Sequence, residues 1–302
     1  VIRAPGYLDG LNIRLTPLTD PDYRPFSRRL AWLAADADGN PVGSAFLRLN
    51  SRPTQAHLAE LELNVHPAER RRGIGSRLLD AVVGAAREHD VRTLLADVRV
   101  DSPGDHFLHH HGFAIGLSLV FARHRLADVV LDSVVGPEGY RLESWVGVVP
   151  DELAQTFTDA RAGMDDAPQG DIAYGEDVWD VERTRNAAQV IEQRGEVLCT
   201  VAAVHEASGA IAGFTELVVP GDGKGDAQHY GTAVLPAHRR RGLALWMKSE
   251  QIRQTRQRFP DLDGLLTDTV DTNAPMQRVN AHLGYQPTHR LNRRTLDLQQ
   301  PS

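Results

Sequence analysis

The sequence predicts an α/β protein made of two copies of one fold, each a mixed, largely antiparallel sheet flanked by helices. Three observations carry that prediction. Arg70-Arg71-Arg72-Gly73-Ile74-Gly75 closes an apolar-rich strand pattern and opens an amphipathic helix pattern, and Arg239-Arg240-Arg241-Gly242-Leu243-Ala244 does the same in the second half. Both turns follow a similar lead-in, Val65-His66-Pro67-Ala68 and Val234-Leu235-Pro236-Ala237. Both are followed by an apolar strand and a short helix that stops at Gly112-Phe113 or Gly284-Tyr285, glycine being a common residue just past a helix end.

Asn12 to Thr16 reads as the first strand of the first half. Ala31 to Ala35 and Val42 to Leu49 flank the turn residues Asp36-Ala37-Asp38-Gly39-Asn40 and so read as a hairpin. In His57 to Val65, Glu60, Glu62 and Asn64 alternate with Leu61, Leu63 and Val65, the period of a strand with one buried face. Gly75 to His89 places Leu78, Leu79, Val82, Val83 and Ala86 on one helical face. A strand from Val91 to Val98, a helix from Gly104 to His111 and a strand from Ala114 to His124 complete the half.

The second half repeats the order with one addition. After a strand from Tyr140 to Val148, Pro150 to Ala162 and Asp177 to Arg194 read as two helices. Glu196 to His205 and Ala210 to Val219 form a hairpin, Gln228 to Val234 leads into the second turn, and Leu243 to Gln257 is its helix. Leu262 to Thr269 and Ala274 to Leu283 then give a strand and a helix. Asp132, Ser133, Gly136 and Pro137 cluster between the halves, so the expected domains are 1–130 and 137–302. The first half has no room for the added helix pair.

Composition narrows the function. The 302 residues carry 33 Lys+Arg against 40 Asp+Glu, a net charge of −7, which argues against a nucleic-acid partner needing a basic face. No apolar run is long enough to cross a bilayer and no leader is visible, so no membrane partner is expected. The single cysteine, Cys199, sits in an apolar strand pattern, excludes an internal disulfide framework, and fits a reducing cytoplasm.

The paired turns carry chemistry. Backbone N–H groups converging at the start of a helix make an anion site, and Gly73, Gly75, Gly242 and Ala244 keep it free of bulky side chains. The arginines add charge-assisted contacts. Arg-x-x-Gly-x-Gly/Ala after a Val-x-Pro strand end, followed by a strand and a helix ending in Gly-Phe or Gly-Tyr, resembles the GNAT superfamily of acyl-CoA-dependent N-acyltransferases, here as a tandem pair of GNAT-like domains. The resemblance implies that Arg70, Arg71, Arg72, Gly73, Gly75 and Ser76, and likewise Arg239, Arg240, Arg241, Gly242 and Ala244, hold the diphosphate of coenzyme A. It implies that the strands ending at Val65 and Val234 pair with the pantetheine arm. It also places Asp101 and Asn273 near the cofactor.

Acyl transfer to an amine needs a base, because an alkyl ammonium titrates near 10.4, and a proton for a leaving thiolate of pKa about 8.5. Glu60 and Glu62 are the base candidates of the first half, although a solvent-facing strand edge accounts for them equally well. Glu216 and His229 are those of the second. Many relatives carry a tyrosine four residues before the glycine of the Gly-aromatic stop; Leu108 and Asn280 stand there instead, leaving Tyr285 or water as the acid. The helix pair and the intervening Asp165-Asp166, suited to an ammonium group, favour the second half as the catalytic one.

The expected activity is transfer of acetyl from acetyl-CoA to a primary amine of a small molecule. A mycothiol-synthase-like or protein N-acetyltransferase, and a non-catalytic acyl-CoA-binding protein, are the alternatives. His109-His110-His111 resembles a metal cluster, but consecutive helix residues point in different directions, so no metal is expected.

Overall fold

A computed structural model describes residues 13–18, 27–127, 134–164, 170, 172, 174 and 179–299. In chain order the elements are β1 (Arg14–Leu18), β2 (Ser27–Ala35), β3 (Pro41–Asn50), β4 (Leu58–Val65), α1 (Ile74–Glu88), β5 (Thr93–Arg99), α2 (Pro103–His110) and β6 (Ala114–Arg125). There follow β7 (Tyr140–Val146), α3 (Ala154–Arg161), α4 (Val181–Gln193), β8 (Glu196–His205), β9 (Ile211–Pro220), β10 (Gly225–Val234), α5 (Leu243–Arg258), β11 (Leu262–Val270), α6 (Ala274–His282) and β12 (Gln286–Asp297).

The chain forms two compact units: Val1–Ser118 with Gly170–Gly175 and Leu291–Ser302, and Leu119–Gln169 with Glu176–Arg290. The Leu119–Arg125 part of β6 falls in the second unit and the Leu291–Asp297 part of β12 in the first. In the first unit the order is β1-β2-β3-β4-β5, closed by β12, which pairs antiparallel with β5 from Leu291↔Arg99 to Asp297↔Thr93. In the second, the Leu119–Arg125 part of β6 pairs with β11, followed by β10, β9, β8 and β7. β4–β5 and β10–β11 are parallel. β12 is the one strand the sequence does not announce: Gln286-Pro287-Thr288-His289-Arg290 shows no alternating apolar set.

One face of the first sheet is covered by α1. Ile74, Leu78, Val82 and Ala86 recur four residues apart, with Leu79 beside Leu78, and pack against Ala45, Leu47, Leu61 and Leu94. Such buried aliphatic side chains contribute about 1.5–3 kcal/mol each when fully withdrawn from water. On the opposite face Leu58 and Leu95 are covered by Ile172, with Leu117 and Tyr174 beside them. Ile172 and Tyr174 lie between α3 and α4 in sequence, so the first half borrows part of a wall that its own sequence lacks.

The exchanged strand is locked by buried charge. Asp105 of α2 receives Arg294 Nε at 2.5 Å and Asn292 Nδ2 at 3.3 Å, and Arg294 Nη1 donates to the Phe113 carbonyl at 2.9 Å. In the second unit α3 packs on β8 and β9 through Phe157, which meets Phe214 edge-on. Cys199 is a buried free thiol, as its strand pattern suggests.

Candidate active site

The two turns have matched backbones. Arg71 and Arg240 are left-handed (φ 64° and 62°), as are Gly73 and Gly242 (φ 76° and 80°) two residues later. This alternation curls successive amides toward one point, the geometry of an anion nest. A side chain at the second position would meet the usual left-handed penalty, which glycine avoids. Side-chain caps close α2 (Ser102), α4 (Asp180) and α6 (Asn273), but none closes α1 or α5. The first amides of those two helices therefore keep donors for a ligand.

The three arginines of each turn divide the work. Arg70 Nε donates to the Val65 carbonyl at 3.2 Å and Arg239 Nε to Val234 at 2.9 Å, so each braces the turn from behind. Arg72 is paired with Glu69. Asn273 spends its Oδ1 on the α6 cap, accepting from Met276 N at 3.2 Å.

In the first unit the turn opens into a cleft of about 1360 Å³. β4 and β5 pair only from Leu58↔Thr93 to Glu60↔Leu95 and then part, leaving the β5-facing edge of Leu61 to Val65 unpaired. Val65, Arg70, Arg71, Gly73, Gly75 and Ser76 line one end. A Cβ on Gly75 would sit 3.1 Å from the Phe107 ring, so the cradle is closely built. Ser76 Oγ lies 3.1 Å from His111 Nε2, and both face the cleft. Uncapped amides, a free strand edge and a closely packed floor fit a ligand with a diphosphate and an amide-bearing arm.

The other end is charged. Glu60, Glu62 and Asp97 share it with Arg48 and Arg293. Glu60 is held by Arg48. Asp97 receives Arg293 through two nitrogens at 2.7 and 2.6 Å, and those bonds raise the guanidinium further above its ordinary value. Arg293 also donates to Tyr174 Oη at 2.8 Å. Glu62 is different: it is exposed, and its recorded partner is the Asn64 amide at 3.3 Å.

The second unit fills the corresponding region with its own side chains. β10 and β11 also part, after Gln228↔Leu266. Gln228 Nε2 then reaches Asp268 at 3.4 Å, and Met164 lies so close that a Cβ on Gly231 would be 2.9 Å from its methyl. Glu216 is buried in an ion pair with Arg161 at 2.5 Å; burial pushes its carboxyl up against the pull of that arginine. Trp179 stacks on the same guanidinium. His229 is buried, with Nε2 at 2.6 Å from Tyr285 Oη; desolvation and the nearby Lys248 push it well below the usual histidine range. Burial alone raises the Tyr285 phenol. Glu216, His229 and Tyr285 thus stand in a packed interior. Asp165 and Asp166 lie outside the described residues.

Residues 8–113 match the Acetyltransferase (GNAT) family. A solved tandem GNAT protein from the clavulanic acid biosynthesis pathway, without AcCoA, is 26% identical with a TM-score of 0.71, over 93% of this chain and 86% of that one. The chain is thus similar to a tandem GNAT protein over nearly its whole length, and to the GNAT acetyltransferase family over residues 8–113. GCN5-related N-acetyltransferases from Sphaerobacter thermophilus (19% identity, TM-score 0.69, 90% of this chain and 82% of that one) and Kribbella flavida (17%, 0.55, 85% and 87%) share the fold.

The match and the shared fold support an acyl-CoA-dependent N-acyltransferase acting on an acceptor substrate. Sequence reasoning missed much of the charged end of the cleft. Arg48 lies in a strand pattern the sequence shows, but its place opposite Glu60 is set by the register of β3 on β4. Arg293 was not legible, because β12 was unannounced. Leu108 is buried where many relatives carry a phenol. His109, His110 and His111 form no metal-binding group among the described residues, and no described helix is long and apolar enough to cross a membrane.

Proposed function

We propose that the first unit transfers an acetyl group from acetyl-CoA to a primary amine of a small molecule, directly and without a covalent enzyme intermediate. One observation carries this reading: a single cleft joins an uncapped helix start to an exposed carboxylate, Glu62, across a strand edge that lacks a partner. Acetyl-CoA supplies an activated thioester carbonyl. The amides of Gly73 to Ser76 bind its diphosphate, and the free edge of Leu61 to Val65 orients the pantetheine arm. A backbone N–H of that edge stabilises charge on the carbonyl oxygen. Glu62, directly or through one water, takes a proton from the ammonium; the amine nitrogen then bonds to the carbonyl carbon as the C–S bond breaks, and releases its second proton to solvent. No phenol lines the cleft among the described residues, and solvent protonates a thiolate of pKa about 8.5.

The second unit, with its interior packed, then serves as scaffold. Acetyl-CoA-dependent thiol release should be lost in Gly73→Glu and retained in Gly242→Glu. Loss only in Gly242→Glu would move the reaction to the second unit, and tight acetyl-CoA binding without turnover across a broad amine panel would favour a non-catalytic binder.

A further inference from the structure

Ser76 is the third residue of α1, so its amide is one of the uncapped donors and its side chain stands beside them. Its Oγ lies 3.1 Å from His111 Nε2, and both residues line the cleft with Gly73 and Gly75. His111 is the residue that ends α2, and its ring is tilted against Phe107 with centres 4.4 Å apart. The Phe107 ring in turn lies where a Cβ on Gly75 would be 3.1 Å away. The imidazole is thereby held against the first turn of α1, one hydroxyl away from an anion bound there.

A neutral imidazole accepts or donates at Nε2 according to its tautomer, whereas a protonated one only donates. With His111 protonated the direction of this bond is fixed: Nε2–H points at Oγ, and the Ser76 hydroxyl keeps its proton for a phosphate oxygen. The surroundings balance the ring between the two states. Burial and the charge of His110 hold it below its ordinary 6.5, and Asp80 of α1 pulls it up. The last carbonyls of α2 also favour the imidazolium. Arg70, Arg71 and Glu69 line the same cleft, Glu69 paired with Arg72, and His106 and His110 are exposed along it. A diphosphate at the turn adds negative charge and tips the balance toward the protonated ring.

We propose that His111 is a positioning residue for the cofactor: it takes up a proton from solvent as the diphosphate binds and turns the Ser76 hydroxyl toward a phosphate oxygen. This rests on the reading that the turn of the first unit holds acetyl-CoA. The sign follows from linkage. A ring that gains proton affinity on binding adds ligand affinity that is complete at acid pH and is lost as pH climbs through the ring's value in the complex.

Dephospho-CoA is the probe, because it carries the diphosphate without the terminal phosphate, whose second proton itself leaves at about pH 6. Calorimetry on the full chain, in two phosphate-free buffers of different ionisation enthalpy, counts the protons. Binding near pH 6.5 should take up about half a proton or more, which corresponds to about a threefold gain in affinity per pH unit toward acid. His111→Gln keeps an N–H for Ser76 but cannot titrate; it should abolish the uptake and flatten the pH profile. Ser76→Ala leaves the ring without a hydroxyl to turn and should weaken binding and reduce the uptake. His109→Gln, on an exposed residue of the same helix, should change neither. No uptake by the unaltered protein would overturn the proposal. So would undiminished uptake in His111→Gln or Ser76→Ala, or its loss in His110→Gln with retention in His111→Gln. Failure of the underlying reading looks different: dephospho-CoA would not bind, or would bind as well to Gly73→Glu.

Discussion

Replacing Arg294 by alanine should loosen the first unit selectively. Arg294 and Asp105 are 8% and 6% exposed, so their ion pair is shielded from solvent. The guanidinium also satisfies the Phe113 carbonyl. Without it, Asp105 keeps only the Asn292 amide at 3.3 Å and the Asp101 amide at 3.0 Å. Removing one partner of a buried pair costs about 3–5 kcal/mol, because the other charge stays behind. One decade of equilibrium is about 1.36 kcal/mol, so global exchange of amides in β5 should quicken by roughly a hundred- to several-thousand-fold. Hydrogen exchange read by mass spectrometry should show this in peptides spanning Thr93–Arg99, with little change in Glu196–His205. Acetyl-CoA affinity should fall with it. The double variant Asp105→Asn with Arg294→Met should recover most of the loss, since no charge is then stranded. A change below about tenfold in β5, or an equal change in both peptides, would refute the argument. The pH sign agrees. Burial alone would raise the Asp105 carboxyl, but hydrogen bonds from Arg294, Asp101 and Asn292, with the Arg294 charge, outweigh it and hold the carboxyl below its ordinary 3.8. Its contribution is therefore present above that value and lost only as pH falls through the lower folded value.

Lys248, fully buried, is pushed by desolvation from 10.5 to about 7, so it costs stability; the cost is complete below about pH 7 and fades as pH rises through 10.5. Lys248→Met should stabilise the second unit by about 2 kcal/mol or more at neutral pH and flatten the rise seen between pH 7 and 10, measured by denaturant titration. His229 should stay neutral well below 6.5: its ring NMR signals should not titrate near that value, while stability of the second unit falls below it because only the unfolded chain takes up the proton. Asp180→Ala removes the α4 cap, which accepts from Arg183 N at 2.7 Å, and should cost about 1 kcal/mol by thermal denaturation.

The two glycine turns were legible in the chain because their requirement is local. A left-handed glycine, a bracing arginine and an amphipathic helix are all specified within a few residues, so Gly73 and Gly242 could be read directly. Glu60 and Glu62 were also legible, from strand alternation. Their difference was not: Glu60 is clamped because Arg48 stands across from it on β3, whereas Glu62 faces Phe46. The same limit applied to Glu216, whose partner Arg161 lies 55 residues away.

The sequence by itself determined the repeated architecture, the placement of two anion nests and the absence of a disulfide framework. Tertiary structure decided that the first nest opens into a cleft and where each unit ends. The physical reason is that backbone pairing carries no label. The N–H and C=O groups of β12 suit any strand edge, and only packing around Asp105, Asn292 and Arg294 directs that strand to β5. Whether an opening stays empty likewise depends on side chains far apart in the chain, such as Met164 against Gly231.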